Sequence, residues 1–215
     1  MKRRILISIL AALVIALPFA TPSRAAEETG PKDFITSLAT HAIESLTKGT
    51  VSRPQKVDNF RALFRDHFAV KGIGKWVLGR YWRRATDDQK SEYLTLFEDL
   101  MVVSYVDRFA DYAGEQLVIV KSLPNNKTMS TVYSEILRPG SSKPIRVDWR
   151  VSKTNAGDFK IVDVVVEGTS MSATLRSDFK SIIRQNGGQV AGLLVALRAK
   201  TASLKTETAE NKAKP

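Results

Sequence analysis

Three features of the sequence predict an α+β fold in which helices cover one face of a four-stranded antiparallel sheet. Apolar residues recur at helical spacing from Lys32 to Gly114. The period switches to two between Gln116 and Glu167, and it returns to helical spacing from Ser172 onward. A sheet with one dry face needs a helical layer to cover it, which is the α+β arrangement.

The first helix is expected from Lys32, with Ile35, Leu38, Ala39, Ala42 and Leu46 on one side and Gly49 past its end. "TVSRPQ" breaks the pattern. Phe60, Leu63, Phe64, His67 and Phe68 then follow i, i+3, i+4, i+7, i+8, the clearest helical period in the chain. Gly72 and Gly74 loosen the backbone, and "KWVLGRYW" predicts a short helix. The next helix has a strong start. Thr86 is its N-cap, Gln89 closes a capping box, and Asp87 and Asp88 lie at the positive end of the dipole. Tyr93, Phe97, Met101, Tyr105 and Phe109 step by four along one side. Unbroken from Asp87 to Tyr112, this helix would be about 39 Å long.

"QLVIVKS", "TMSTVYSEIL", "PIRVDWRVS" and "FKIVDVVVE" read as four strands. The turn-rich links "LPNN", "RPGSSK" and "TNAGD" make them an antiparallel meander. In the third strand Ile145, Val147, Trp149 and Val151 alternate with Arg146, Asp148 and Arg150. In the fourth, strict alternation puts Val162, Val164 and Val166 on one face and Ile161, Asp163, Val165 and Glu167 on the other. The third and fourth strands therefore share a dry side. "SATLRSDFKSIIRQNGG", with Leu175, Phe179, Ile182 and Ile183, and "QVAGLLVALRAK", with Val190, Leu193, Leu194 and Leu197, predict two closing helices. Residues 203–215 are small and charged and are expected to be a disordered tail.

"MKRR", an apolar run from Ile5 to Leu17, and the small-residue site "SRA" have the layout of a cleaved secretory signal peptide over residues 1–25. The apolar run falls short of the ~20 residues of a spanning helix. Export to the periplasm is the expectation, with residues 26–202 forming one domain. Cleavage after Ala25 would remove Lys2, Arg3, Arg4 and Arg24 and no acids. Of the 33 basic residues 29 then remain against 22 acidic ones, a net charge of +7 on 190 residues. The chain has no cysteine, which excludes disulfides, thiol catalysis and thiolate metal sites. Its basic balance suits anionic lipid headgroups or an acidic protein, and nucleic acid is not an expected partner in that compartment.

The chain lacks HExxH, GxSxG and phosphate-cradling glycine motifs. Of the two histidines, His67 lies among phenylalanines and reads as a satisfied core residue. Asp163 and Glu167 share a strand face as a carboxylate pair would, but Arg146 and Arg150 offer them ordinary cross-strand partners. "GRYWRRA" sets arginines beside Tyr81, Trp82 and Trp76. That pattern suits a packed helix end with its arginines paired to acids and lying over rings, or an interfacial belt at a membrane. No metal, cofactor or catalytic residue is called for.

Several stretches together resemble one family. "LGRYWRRATDDQKSEYLTLFEDLMVVSYVDRFADYAGE", "PIRVDWRV", "IVDVVVEGTSM" and "RQNGG" stand in the order seen in MlaC-type, or toluene-tolerance, proteins, over about Lys32 to Lys200. The resemblance implies a periplasmic phospholipid-binding component of an ABC lipid transport system. It implies a sheet of the nuclear-transport-factor-two (NTF2-like) type with an apolar cavity between sheet and helices. It also implies two partners, an inner-membrane Mla-type ABC transporter complex and an outer-membrane lipoprotein–porin complex, with diacyl phospholipid as the ligand. A monomer is expected.

With such a cavity, the residues assigned to lipid are Phe97, Met101 and Tyr105 on the long helix, Ile145, Val147 and Trp149 on the third strand, and Val162, Val164 and Val166 on the fourth. Met171, Leu175 and Phe179 follow on the next helix. One departure is "GTSM", where the family reads closer to G-V-S-M, so that Thr169 makes the turn more polar. Two alternatives stand beside this reading: a carrier of hopanoid-like lipid, from another branch of the family, and an NTF2-like enzyme acting on a hydrophobic substrate. The enzyme predicts titratable groups on the dry face, where the strand register supplies none.

Overall fold

The computed structural model describes residues 30–48, 51–109 and 112–211, so the expected leader lies outside the described residues. Six α-helices stand against an open antiparallel sheet of five strands in sequence order. The first three helices are α1 (Pro31–Leu46), α2 (Arg53–His67) and α3 (Val70–Leu78), followed by a 3₁₀ turn at Gly79–Arg83. Next comes α4 (Asp87–Tyr105) with a 3₁₀ turn at Val106–Phe109. The strands are β1 (Gln116–Pro124), β2 (Met129–Leu137), β3 (Ile145–Lys153), β4 (Phe159–Val166) and β5 (Thr169–Ser170). Helices α5 (Met171–Gln185) and α6 (Val190–Asn211) close the chain.

The start of α4 is as expected, with Thr86 and Gln89 forming a reciprocal capping box. A second box was hidden in "SRPQ". Ser52 caps α2, Gln55 returns the bond, and Pro54 sits in the first turn, where its missing N–H costs nothing. The apparent break is therefore the beginning of the helix.

Three expectations are corrected. First, α4 ends at Tyr105 rather than Tyr112, giving about 28 Å of helix. The 3₁₀ turn after it carries Asp107, which Arg53 at the head of α2 grips with both Nε and Nη2 at 3.0 Å. Second, the sheet has a fifth strand. A tight turn with Glu167 and Gly168 at positive φ (48° and 80°) folds Thr169–Ser170 back onto Val165–Val166. Third, α6 continues to Asn211, into the segment 203–215 expected to be disordered. Thr201 is buried, Leu204 packs on the helical core and Lys205 approaches Asp99, so the extension is held by tertiary contacts.

The core falls into two clusters. The larger is helical, with Tyr93, Phe97, Phe179, Ile183 and Leu193 at its centre. Phe179 meets the rings of Tyr93 and Phe97 edge-on at 6.2 and 6.5 Å. Tyr93 is fully buried and donates its hydroxyl to the Gly74 carbonyl at 2.9 Å, and burial pushes its pKa far up. The smaller cluster joins Ile35 and Leu38 of α1 to Val132, Val151 and Ile161 on the sheet.

Candidate functional site

Between the sheet and α1, α2, α4 and α5 lies a cavity of about 590 Å³. That volume is within the ~300–1,000 Å³ usual for a small-molecule site. Its floor is the covered face of β3 and β4. Trp149 is paired opposite Val164, and Val147 opposite Val166, on that face. Ile145, Trp149, Val162, Val164 and Val166 all reach the void, as do Leu117 of β1 and Ile136 of β2.

Alternation alone misplaces two residues of β4. Arg150 pairs with Asp163 and Val151 with Ile161, so Val162 is the extra residue of a β-bulge. Ile161, expected on the solvent side, is instead fully buried beside Val151 against α1. The cause lies outside the sheet. The Ile161 carbonyl accepts a hydrogen bond from Ala69 N at 2.9 Å, and Phe68 forms a parallel bridge with Ile161, which pins the α2–α3 junction to the bulge. Asp163, expected in water, is 6% exposed. Its carboxylate accepts from Arg150 Nη1 at 3.1 Å, Ser170 Oγ at 2.6 Å and the Ser172 backbone N–H at 3.1 Å. The cross-strand arginine is the partner expected, and two donors from the N-terminus of α5 complete the set. Asp163 thus ties β4 to the start of α5, engaged by three donors and not paired with Glu167. Glu167 itself lies in the turn and accepts from Arg146 N.

Of the twelve residues assigned to the site, ten line the cavity: Phe97, Met101 and Tyr105 on α4, the five strand residues above, and Met171 and Leu175 on α5. Val147 and Phe179 do not. Val147 is buried on the correct face, hydrogen-bonded through its carbonyl to Ser134 Oγ, without reaching the void. Phe179 belongs to the helical core behind Phe97, one turn too far along α5. Trp149 presents its ring to the cavity because Ser134 Oγ satisfies its indole N–H at 3.0 Å. Thr169, the departure in "GTSM", is exposed at the strand turn and absent from the cavity wall.

Most of the wall was not assigned from the sequence. α1 contributes Ile35, Leu38, Ala39, Ala42, Ile43 and Leu46, α2 contributes Phe60, Leu63 and Phe64, and Phe68 follows at the α2 C-cap. Their helical period was visible, but a period identifies a buried stripe without saying whether it meets a side chain or a void. Polar groups collect where β1 begins and β2 ends: Tyr112, Glu115 and Arg138 line this end. The Tyr112 hydroxyl donates to the Glu115 carbonyl at 3.0 Å. The Glu115 carboxylate is held below the usual range by backbone N–H donors, foremost that of Ala113, with a further contribution from Arg138. The Tyr105 hydroxyl stands 4.0 Å from the Met171 sulfur.

Contrary to the strand register, a titratable group does line the void: Asp163 and Ser172 are on its wall, with the Asp163 carboxylate held by Arg150, Ser170 and the Ser172 N–H. No cluster of three or more metal-ligating side chains occurs among the described residues. His67 is half-buried, stacks on Phe34 at 5.7 Å and meets the Leu63 carbonyl through Nδ1 at 3.0 Å, as a satisfied core histidine does.

A family model described as MlaC protein matches residues 36–199, well over half the chain. The chain belongs to the MlaC family. It is 21% identical over 176 residues to the intermembrane phospholipid transport system binding protein MlaC of Haemophilus influenzae, covering 79% of this chain and 82% of that protein. The fold is that of a phospholipid-binding protein from Ralstonia solanacearum, solved in complex with a phospholipid. The TM-score is 0.70 at 20% identity, and the match covers 81% of this chain and 98% of that one. The chain is thus an MlaC-family member with an α+β fold whose open sheet has five strands.

Proposed function

We propose that this MlaC-family protein is a periplasmic carrier that takes up diacyl phospholipid and exchanges it between an outer-membrane lipoprotein–porin assembly and an inner-membrane Mla-type ABC transporter, without catalysis. The observation that carries the reading is the cavity, apolar along its length and polar mainly at one end. Acyl chains would lie against Val162, Val164 and Val166 below and Phe97, Met101 and Leu175 above. The headgroup would stand at Tyr112, Glu115 and Arg138.

The energetics suit such a role. Burial of about 0.8 kcal/mol per CH₂ gives a 16-carbon chain on the order of 12 kcal/mol. On that scale few headgroup contacts are required, and broad headgroup tolerance is expected. Release must then be assisted by a partner able to accept the tails. Met101 and Met171 lend the wall the adaptability that changing occupancy requires. The NTF2-type arrangement, export by a cleaved leader and a monomeric state all belong to the same reading.

Organic extraction and mass spectrometry of gently purified protein test it. The expected result is diacyl phospholipid in proportion to its abundance in the host. Hopanoid-like lipid alone would transfer the cavity to another ligand. No extractable lipid, together with no uptake from vesicles, would end the carrier reading.

A further inference from the structure

The arginines whose side chains are described divide into two groups. Arg53, Arg61, Arg65, Arg146, Arg150 and Arg198 each meet a carboxylate. Arg80, Arg83, Arg84, Arg138, Arg176 and Arg184 form no ion pair among the described residues. Arg138 stands at the polar end of the cavity, and the other five belong to the 3₁₀ turn after α3, its exit, or the adjacent α5.

From His67 to Thr86 the chain carries Lys71, Lys75, Arg80, Arg83 and Arg84 and not one acidic residue. In place of acids the guanidiniums hold aromatic rings. Arg176 lies 4.6 Å from the Trp76 ring centroid and donates Nη1 to the Trp76 carbonyl at 2.9 Å. Arg80 and Arg84 lie 5.0 and 6.0 Å from the Tyr81 ring, and Arg80 donates to its hydroxyl at 3.1 Å. Gly79, at φ +57°, leaves room for the Arg176 guanidinium, which a Cβ there would meet at 3.1 Å. The Tyr81 hydroxyl is held below the ordinary phenol range by that Arg80 bond and by the charges of Arg84 and Arg184, so Arg184 shares the same patch. Trp76 is 47% exposed beneath the Arg176 guanidinium, and Arg80, Arg83, Arg84 and Arg184 are exposed as well. Asp88 of α4 and Asp178 of α5 form no ion pair with these arginines.

We propose that this surface, formed by α3, the 3₁₀ turn and α5, is a docking face for an anionic lipid bilayer, with Trp76 at headgroup level and Arg80, Arg83, Arg84 and Arg184 on the phosphates. One exposed indole beside cations without acidic partners fits the interfacial region of a membrane. Trp76 is the one large exposed apolar residue described on this face, a smaller apolar centre than a stable protein interface buries. The other large exposed apolar residues, Val118, Val120, Leu123, Leu137 and Val195, lie on β1, β2 and α6, away from this face. The face also adjoins the cavity: Ile73, one turn from Trp76, and Leu175, beside Arg176, line the void. Docking here would bring the cavity wall to a lipid surface. The proposal does not depend on the carrier reading, because it concerns attachment to a surface and not uptake of lipid.

Cosedimentation of the mature chain with vesicles tests it. Wild-type protein is expected to bind vesicles containing phosphatidylglycerol at low salt, to leave them at high salt, and to ignore pure phosphatidylcholine. Arg83→Gln, Arg84→Gln and Arg184→Gln together should weaken binding about a hundredfold, at roughly fivefold per cation. A control triple, Lys127→Gln, Lys143→Gln and Lys200→Gln, removes the same charge from exposed sites elsewhere and should retain most of the binding. Thermal melting establishes that both triples are folded, and Trp76→Ala gives a third variant that leaves the charge untouched and should also weaken binding. Equal losses in the two triples would reduce the effect to net charge and overturn the proposal. It would equally be overturned if wild-type protein ignored anionic vesicles but bound polyglutamate, which would assign the face to an acidic protein.

Discussion

At one end of the covered face, Val132, Val151 and Ile161 meet Ile35 and Leu38 and are at most 1% exposed. At the other, Ile145 and Val166 stand under the same helical layer and are only partly buried, because they face a void; Val164, in one row with Trp149 and Val132, borders both. The side chains are of one kind at both ends. What differs is how closely the helices are held. At the closed end the Ala69–Ile161 hydrogen bond and the Phe68–Ile161 bridge draw the α2–α3 junction onto the bulge of β4. Tyr112 and Glu115, before β1, and Arg138, just past β2, line the open end, and there the wall becomes polar. A filled core and a binding cavity can therefore share one sheet, and backbone anchors decide which is which.

The largest effect is expected from a charge on the cavity floor. Val164→Glu would place a carboxylate where acyl chain is proposed to lie, at a cost of several kcal/mol if it stayed ionised. The protein should fold, and extraction should recover little or no lipid. Full retention of lipid would erase the difference between the two ends.

The next effect separates them by stability. Ile161→Ala removes a fully buried side chain from the closed end and should cost about 3 kcal/mol in urea unfolding. Val164→Ala, beside space that already exists, should cost less than about 1 kcal/mol in lipid-free protein. Similar costs at both sites would mean that the cavity collapses when empty.

The smallest effect concerns the ion pairs that hold two walls together. Arg61 and Arg65 of α2 reach Glu98 of α4 at 2.7 and 2.8 Å, and Arg61 also meets Asp99 at 2.7 Å. Burial alone would raise the Glu98 pKa, but hydrogen bonds from Arg65 and Arg61 outweigh it and hold the carboxyl below the usual range. A carboxylate depressed on folding contributes stability above its unfolded pKa and loses it as the pH falls through the folded value. The contribution, screened by solvent, is about 1 kcal/mol or less. Melting temperature should therefore fall more steeply on acidification below the ordinary glutamate range in wild type than in Glu98→Gln.

Much of this architecture was legible in the sequence. The Thr86–Gln89 box, the period change at Gln116 and the turn-rich links between strands are local signals, and local hydrogen bonding determines their outcome. The bulge at Val162 was not legible, because "IVDVVV" alternates without a break and the contact that shifts Ile161 comes from Ala69, far away in sequence. Nor was the division between wall and core. Leu175 and Phe179 occupy the same helical stripe, yet one meets the void and the other the rings of Tyr93 and Phe97. Periodicity records that a residue is turned inward, and only the spacing of whole elements determines what it finds there.

Site-specific photocrosslinking tests the central claim most directly, namely that acyl chains occupy the void while the neighbouring core is solid. A diazirine-bearing leucine analogue at position 175, on the cavity wall, is compared with the same group at position 193, which is 0% exposed in the helical core. After loading with radiolabelled phospholipid and illumination, position 175 should carry the label and position 193 should not. Label at both positions, or at neither in protein shown to hold lipid, would contradict the account.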